Sequence, residues 1–329
     1  MKIFFYALRE YDELPYVEKY KKETGIDFAW SDEYPSESNV GMAEGCEAIS
    51  CTPSTLDRNL LKKFADIGVR YILCRSIGYD HVDLKAAKEF GMRVSNVGYP
   101  PDSVANYAIM LIMMCLRNMQ HILKRSELQD YTLKNKLGRD ISGVTVGVIG
   151  TGAIGSTVIR HLSGFGSRIV AYDLYPKDEV KRMAEYVSFE ELLRVSDVIT
   201  IHANASKDNY HLLNKAAFAQ MKPEAVIVNT SRGKLIDTDA LIEAVESGRI
   251  SAAALDVLEN EDGLYYYNKN AQVIVNHQMA ILRSFPNVIL SPHTAFYTRV
   301  DVMNMVKGNF EALQDFIEGK ASVHEVSLS

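Results

Sequence analysis

Along the first hundred residues of this 329-residue chain, short β-rich runs alternate with longer stretches that mix polar and apolar positions. KIFFY from Lys2, FAW from Phe28, AISC from Ala48, RYILC from Arg70 and MRVSNV from Met92 read as strands, and segments 56–66 and 83–90 read as helices. Strands that alternate with helices predict a parallel sheet. The pattern breaks at GYPPDS, 98–103, where two prolines mark a hinge. Asp102 or Ser103 is then the N-cap expected for a long helix reaching to about Gln129. A second series starts after Gly143: TVGVIG, a helix, RIVAYD, a helix over 188–195, DVITIH, a helix, AVIVNT, a helix, and SAAALDV. NVILS, 287–291, is the last strand expected, and a helix over about 298–318 follows it as a candidate to complete the first domain. No internal repeat interrupts this order, and the three tyrosines 265–267 are the only biased tract.

At roughly 150 residues per domain, this length predicts two domains and a cleft. The chain is 47% hydrophobic and 24% charged with a formal net charge of -6, so no basic field argues for nucleic acid or anionic lipid as a partner. Cys46, Cys51, Cys74 and Cys115 form no CxxC pair and no metal-ligand spacing with histidine, so they read as small buried side chains in a reducing compartment, and no metal is expected. The longest apolar run, 107–116, has ten residues against the eighteen or so that a membrane span needs. KIFFYALREYDE at the start is too soon charged for a signal-peptide core, which makes the cytoplasm the expected location.

GVIGTGAIG, 147–155, carries the chemistry that the strand order prepares for. A lone GxGxxG is weak evidence, but here a β-type run leads into Gly150 and a helix is expected over 153–162. Gly150 suits the tight turn, Gly152 the close approach of a pyrophosphate, and Gly155 the packing of helix on strand. Asp173 ends the next strand, eighteen residues after Gly155, where a carboxylate accepts hydrogen bonds from ribose hydroxyls and repels a 2'-phosphate. NAD is therefore the cofactor expected. Three more residues follow strand ends: Arg232 in NTSRG, Glu261 in LENED and His293 in SPHTAFYT. A planar guanidinium grips a carboxylate in two places, an imidazole gives or takes a proton near neutral pH, and a glutamate beside it favours the imidazolium. Together they suit reduction of a 2-oxo acid, although each alone could be a surface ion pair or a strand-end cap.

These motifs, with LLRVSDVITIH, MKPEAVIVNTSRGKLIDTDAL, AALDVLENE and PNVILSPHTAFYT, resemble the D-isomer-specific 2-hydroxyacid dehydrogenases over nearly the whole chain. The likeness is to the branch of D-lactate and D-2-hydroxyisocaproate dehydrogenases and the vancomycin-resistance D-lactate producers. It implies an α/β fold of two doubly wound parallel-sheet domains, a Rossmann NAD-binding domain (102–296) inserted into a flavodoxin-like substrate domain (1–101 and 297–329). It also implies that Arg232 orients the substrate, His293 is the acid/base and Glu261 supports it. The backbone N–H groups of Ile77 and Gly78 would help to bind the carboxylate, with Tyr99 lining the pocket. Cofactor contacts would come from Val104, Ala153, Ile154, Asp173, His202, Ala203, Asn204, Thr230, Ser231 and Asp256, beside the glycines. The resemblance further implies a homodimer through the long helix after the hinge, and a small 2-oxo or 2-hydroxy acid as the substrate.

The chain departs from the family's pattern in three places. Ala203-Asn204 stands after His202 where HxP is usual, Tyr99-Pro100-Pro101 replaces YSP, and Asn106 stands where an acidic residue is common. The specificity position after the third strand falls among Ser50, Cys51, Thr52 and Pro53 instead of on a bulky aromatic, which predicts a roomy pocket unless Tyr99, Phe296 or one of tyrosines 265–267 fills it. His81, His121, His161, His211, His277 and His324 match no catalytic position. The competing function is a redox-sensing regulator of the same fold, like the C-terminal-binding-protein corepressors. A long disordered tail or an added interaction module would favour it, and the sequence has neither.

Overall fold

The computed structural model describes residues 1–261 and 263–327. It divides into two compact units, Met1–Pro100 with Tyr297–Ser329, and Pro101–Phe296.

In the first unit, β1 (Lys2–Phe5), β2 (Asp27–Trp30), β3 (Ala48–Cys51), β4 (Tyr71–Cys74) and β5 (Arg93–Ser95) pair in the order β2-β1-β3-β4-β5, every pairing parallel. That order is the flavodoxin-like one. Successive side chains of a strand point to opposite faces, and β1 supplies both cores by this rule. Phe4 packs with Ile49, Ile72 and Val94 against α2 (Arg58–Asp66) and α3 (Leu84–Glu89). Ile3 and Phe5 pack on the other face with Val17 and Tyr20 of α1 (Leu14–Thr24). The C-terminal helix Arg299–Ile317 joins that face through Val306, Phe310 and Leu313, a helical spacing that makes one apolar stripe.

The second unit opens with α4 (Asp102–Leu116) and α5 (Met119–Glu127). It continues with β6 (Thr145–Ile149), α6 (Ala153–Leu162), β7 (Arg168–Tyr172), β8 (Glu185–Tyr186), α7 (Phe189–Val195), β9 (Val198–Ile201) and α8 (Lys215–Gln220). β10 (Ala225–Asn229), α9 (Thr238–Glu246), β11 (Ile250–Leu255), α10 (His277–Ser284) and β12 (Val288–Leu290) complete it. The sheet runs β12-β11-β10-β9-β6-β7-β8, again parallel throughout. From β6 the chain winds outward through β7 and β8, then crosses to β9 and winds the other way. The C-terminal ends of β6 and β9 are therefore the switch point where such sheets bind ligands.

The expected long helix is two helices. Arg117 ends α4, and Asn118 adopts φ 52°, a left-handed conformation that asparagine tolerates better than most residues. The Leu116 carbonyl accepts a hydrogen bond from the Arg139 N–H at 2.8 Å, and the Asn118 amide donates to the Leu137 carbonyl at 2.8 Å. The returning chain thus takes the place of the next helical turn. At the start of α4, Pro101 occupies the N-cap and Asp102 lies in the first turn, one residue earlier than the sequence suggests. All four cysteines are free and buried.

Candidate active site

The glycine turn is held by contacts that leave little choice of residue. Gly150 has φ 89°, and a Cβ there would lie 2.6 Å from the Ala203 amide nitrogen. A Cβ on Gly155 would lie 1.9 Å from the Gly150 carbonyl oxygen, so α6 and the end of β6 meet backbone to backbone. Gly152 is the N-cap of α6, and a Cβ on it would meet no protein atom within 4 Å. Its side is open to an approaching group, with Ala153 and Ile154 forming the first turn beyond it.

Asp173 follows β7 and reaches back to this turn. Its Oδ2 accepts from the Thr151 amide at 2.5 Å and the Thr151 hydroxyl at 3.0 Å, and Oδ1 accepts from the Tyr175 amide at 2.8 Å. Burial works to raise its pKa, but these hydrogen bonds and the charge of Lys177 outweigh it and hold the carboxyl below the ordinary range. The acceptor is thus fixed and ionised before any ribose arrives. At the ends of β9 and β10, Ser231 donates its hydroxyl to the Ala203 carbonyl, which ties the two predicted cofactor segments together. The His202 ring meets the Thr200 hydroxyl at 2.9 Å through Nε2, and burial pushes its pKa down to about 3, so the ring is neutral. His202 Nδ1 and the Thr230 hydroxyl are buried without a hydrogen-bond partner. An open glycine cradle, a fixed carboxylate and two buried polar atoms at the switch point fit a dinucleotide with a free ribose diol. Val104 lies buried in the first turns of α4.

Arg232 sits on a turn braced by Asn229, whose side chain receives the Ser231 N–H at 3.0 Å and donates to the Arg232 carbonyl at 2.9 Å. The guanidinium itself donates to the Ser231 carbonyl at 2.8 Å. Gly233 follows, and a Cβ there would lie 2.1 to 2.3 Å from backbone atoms of Leu258 and Glu259. The turn bearing Arg232 therefore packs directly on the segment that leads to Glu261. Glu261 Oε2 accepts from the Leu258 N–H at 2.7 Å, and Oε1 lies 2.6 Å from His293 Nδ1. Both side chains are about a quarter exposed.

His293 has φ 54°, a left-handed conformation unusual for a residue with a side chain. Asp256, fully buried, holds it there. The Asp256 carbonyl accepts the His293 N–H at 2.8 Å, and its carboxylate accepts from the Ser291 hydroxyl at 2.6 Å, the Thr294 N–H at 2.9 Å and the Ala295 N–H at 2.8 Å. Tyr266 donates to the His293 carbonyl at 2.8 Å, and the Phe296 ring stands edge-on to the imidazole at 6.4 Å.

In the first unit, the loop 76–78 is set by its neighbours. The Ser76 hydroxyl donates to the Gly78 carbonyl at 2.6 Å, and the Asn96 amide donates to the Ile77 carbonyl at 2.8 Å. Both carbonyls are thus engaged within this unit. Tyr99 is half-buried. Of the four small residues at the end of β3, Ser50 accepts from Arg75 at 2.8 Å and donates to Asn309 at 2.5 Å, and Cys51 is fully buried. Thr52 is buried as well, and Pro53 is exposed.

The sequence did not single out Asn229, Gly233 or Glu259, or the bracing role of Asp256. The partners of Asp256 lie up to 39 residues away and those of Glu259 48 and 49, so no local pattern marks them, while Asn229 braces residues two and three positions on without any motif that names it. Among the described residues, no group of His, Cys, Asp or Glu is placed to hold a metal ion, and no helix is long and apolar enough to cross a membrane.

Comparison with known proteins identifies the family. The family model described as D-isomer specific 2-hydroxyacid dehydrogenase, NAD binding domain, matches residues 109–295. An aromatic 2-oxoacid reductase of Clostridium sporogenes is 39% identical over 321 residues, covering 96% of each chain. A D-lactate dehydrogenase of Lactiplantibacillus plantarum is 37% identical over 326 residues, covering 98% of each. The NAD-complexed D-isomer specific 2-hydroxyacid dehydrogenase of Lactobacillus delbrueckii ssp. bulgaricus superposes with a TM-score of 0.84 at 28% identity, over 99% of this chain and 100% of that one.

Proposed function

Because the chain belongs to the D-isomer-specific 2-hydroxyacid dehydrogenases, NAD-dependent enzymes that interconvert 2-oxo and D-2-hydroxy acids, we propose that Arg232, Glu261 and His293 carry its reaction. The observation behind this reading is the 2.6 Å contact between Glu261 and His293 Nδ1 on a loop braced by Asp256. With Nδ1 engaged, Nε2 is the nitrogen that gives a proton to the substrate's carbonyl oxygen, and in the reverse direction takes one from the hydroxyl. Arg232 grips the carboxylate with its planar fork and draws charge toward the carbonyl oxygen. Ile77 and Gly78 offer N–H groups to the carboxylate, and Tyr99 lines the substrate's side. When bound, NADH supplies the hydride. Gly150, Gly152, Ala153, Ile154, Gly155, Asp173, Thr230 and Ser231 hold it, with Val104, Asp256 and segment 202–204.

The finer substrate is read from the small residues 50–53 after β3, where a bulky aromatic would narrow the site, and it favours a branched or aromatic 2-oxo acid over pyruvate. Three further carbons, fully buried at about 0.8 kcal/mol each, would give roughly 2.4 kcal/mol, or some sixtyfold in specificity, and incomplete burial reduces that to severalfold. The test is kcat/KM for pyruvate, 2-oxo-4-methylpentanoate and phenylpyruvate with NADH, with chiral analysis of the product. The D-isomer and at least a severalfold preference for the larger acids are expected. A tenfold preference for pyruvate overturns the size assignment, and an L-product overturns the geometry. A cytoplasmic homodimer is part of the same reading, supported by the exposed apolar residues on and after α5.

A further inference from the structure

Outside the acid/base pair, one cluster of titratable groups binds the two active-site segments together. The His211 ring lies 2.9 and 3.1 Å from the two carboxylate oxygens of Glu259 through Nε2, and 3.7 Å from Asp237 through Nδ1. It stacks on Tyr210 at 3.9 Å, and the Tyr210 hydroxyl donates to Glu259 at 2.8 Å. The groups facing the imidazole are thus Glu259 from one segment, Asp237 from a second and Tyr210 from its own. His211 has φ 52°, as uncommon as the conformation of His293. Its N–H donates to the Lys234 carbonyl at 3.0 Å, and the Leu213 N–H donates to the Leu235 carbonyl at 3.0 Å, so 211–213 runs along the segment that begins at Arg232. Glu259 belongs to the other segment, two residues before Glu261.

We propose that His211 is a positioning residue. Through its hydrogen bond with Glu259 it clamps the segment bearing Glu261 against the turn bearing Arg232, across the close Gly233 contact. Glu259 is 14% exposed, and without His211 it keeps the Tyr210 and Thr238 hydroxyls but loses the donor that spans both its oxygens, so a largely buried carboxylate is left short of a partner and draws the segment toward water. The Leu258 N–H that orients Glu261 moves with it, and Glu261 loses its alignment on His293 Nδ1.

The inference rests on the roles given to His293 and Glu261 above. The experiment compares His211→Ala, His211→Gln, Glu259→Ala and His293→Asn with the wild-type enzyme, reading kcat, KM, the pH dependence of reduction and the Kd for NADH. His211→Ala should lose roughly ten- to a hundredfold in kcat, the scale on which small misplacement acts. Its alkaline limb should move to lower pH, while the Kd for NADH stays within about twofold, since Asp173 is untouched. His211→Gln, which can still donate to Glu259, should recover most of the rate. If His211→Ala does not fold, Glu259→Ala, which removes the acceptor, carries the same expectation. Wild-type kcat and pH dependence in the folded variants overturn the proposal, as does a lost kcat with an unmoved limb. Activity surviving in His293→Asn overturns the acid/base assignment instead.

Discussion

Asp173 is placed by its own surroundings: two backbone amides and a hydroxyl fix its carboxylate beside the glycine turn. If ribose hydroxyls add to those bonds, Asp173→Ala should lose charge-assisted hydrogen bonds worth about 1.5 to 3 kcal/mol, weakening NADH roughly ten- to more than a hundredfold. NADPH should suffer less, and a fluorescence titration that finds unchanged NADH affinity would remove Asp173 from the ribose site. His202 leads to a prediction about stability. Its ring stays neutral in the native state down to about pH 3, whereas an unfolded imidazole takes up a proton below about 6.5. Its contribution is present above that value and lost progressively as pH falls toward 3, amounting to about 2 kcal/mol at pH 5 relative to pH 8. Urea unfolding at the two pH values should show that loss in the wild type and a smaller one in His202→Asn. Equal losses would mean that the ring is not held neutral. The glycines and Asp173 could be read from the sequence because each answers to a fixed spacing. The bracing by Asp256 could not, because its partners Thr294 and Ala295 lie 38 and 39 residues away and serine, threonine and alanine carry no signature.

At the scale of elements, the strands were the most legible part, since runs such as VIT and AVIV have few other uses than a sheet buried on both faces. The break between α4 and α5 was not, because apolar residues continue across Arg117 and Asn118 without loss of period. Only the hydrogen bonds from the returning segment 137–139 end the first helix. β8, two residues long, and α10, set among polar residues, also gave no sequence signal. The union of β6 and α6 is the element-scale feature with the clearest consequence. Gly155→Ala puts a methyl 1.9 Å from the Gly150 carbonyl, so strand and helix must part. Overpacking of this kind costs about 1 to 3 kcal/mol, and thermal unfolding should fall by roughly 2 to 4 °C for each kcal/mol, with weaker NADH binding. A variant with the wild-type Tm and NADH affinity would show that the turn yields elsewhere.

For the whole molecule, the sequence gives the order of strands, and with it two parallel sheets, but nothing in a single chain's pattern marks what its exposed apolar residues face. Leu128, Tyr131, Leu133 and Leu137 are 73 to 92% exposed, and no residue of α5 is buried. Exposed apolar residues in this number suit an interface between two copies. Light scattering should therefore give twice the mass of 36.9 kDa, and Leu133→Asp with Leu137→Asp should give one mass. A wild-type monomer would contradict the dimer. The central claim is that a charged Glu261 holds His293 in its proton-giving form, and the pH dependence of kcat/KM for 2-oxo acid reduction tests it most directly. Reduction should slow as pH rises, and in Glu261→Gln the alkaline limb should lie at lower pH. Superimposable profiles of the two enzymes would contradict the account.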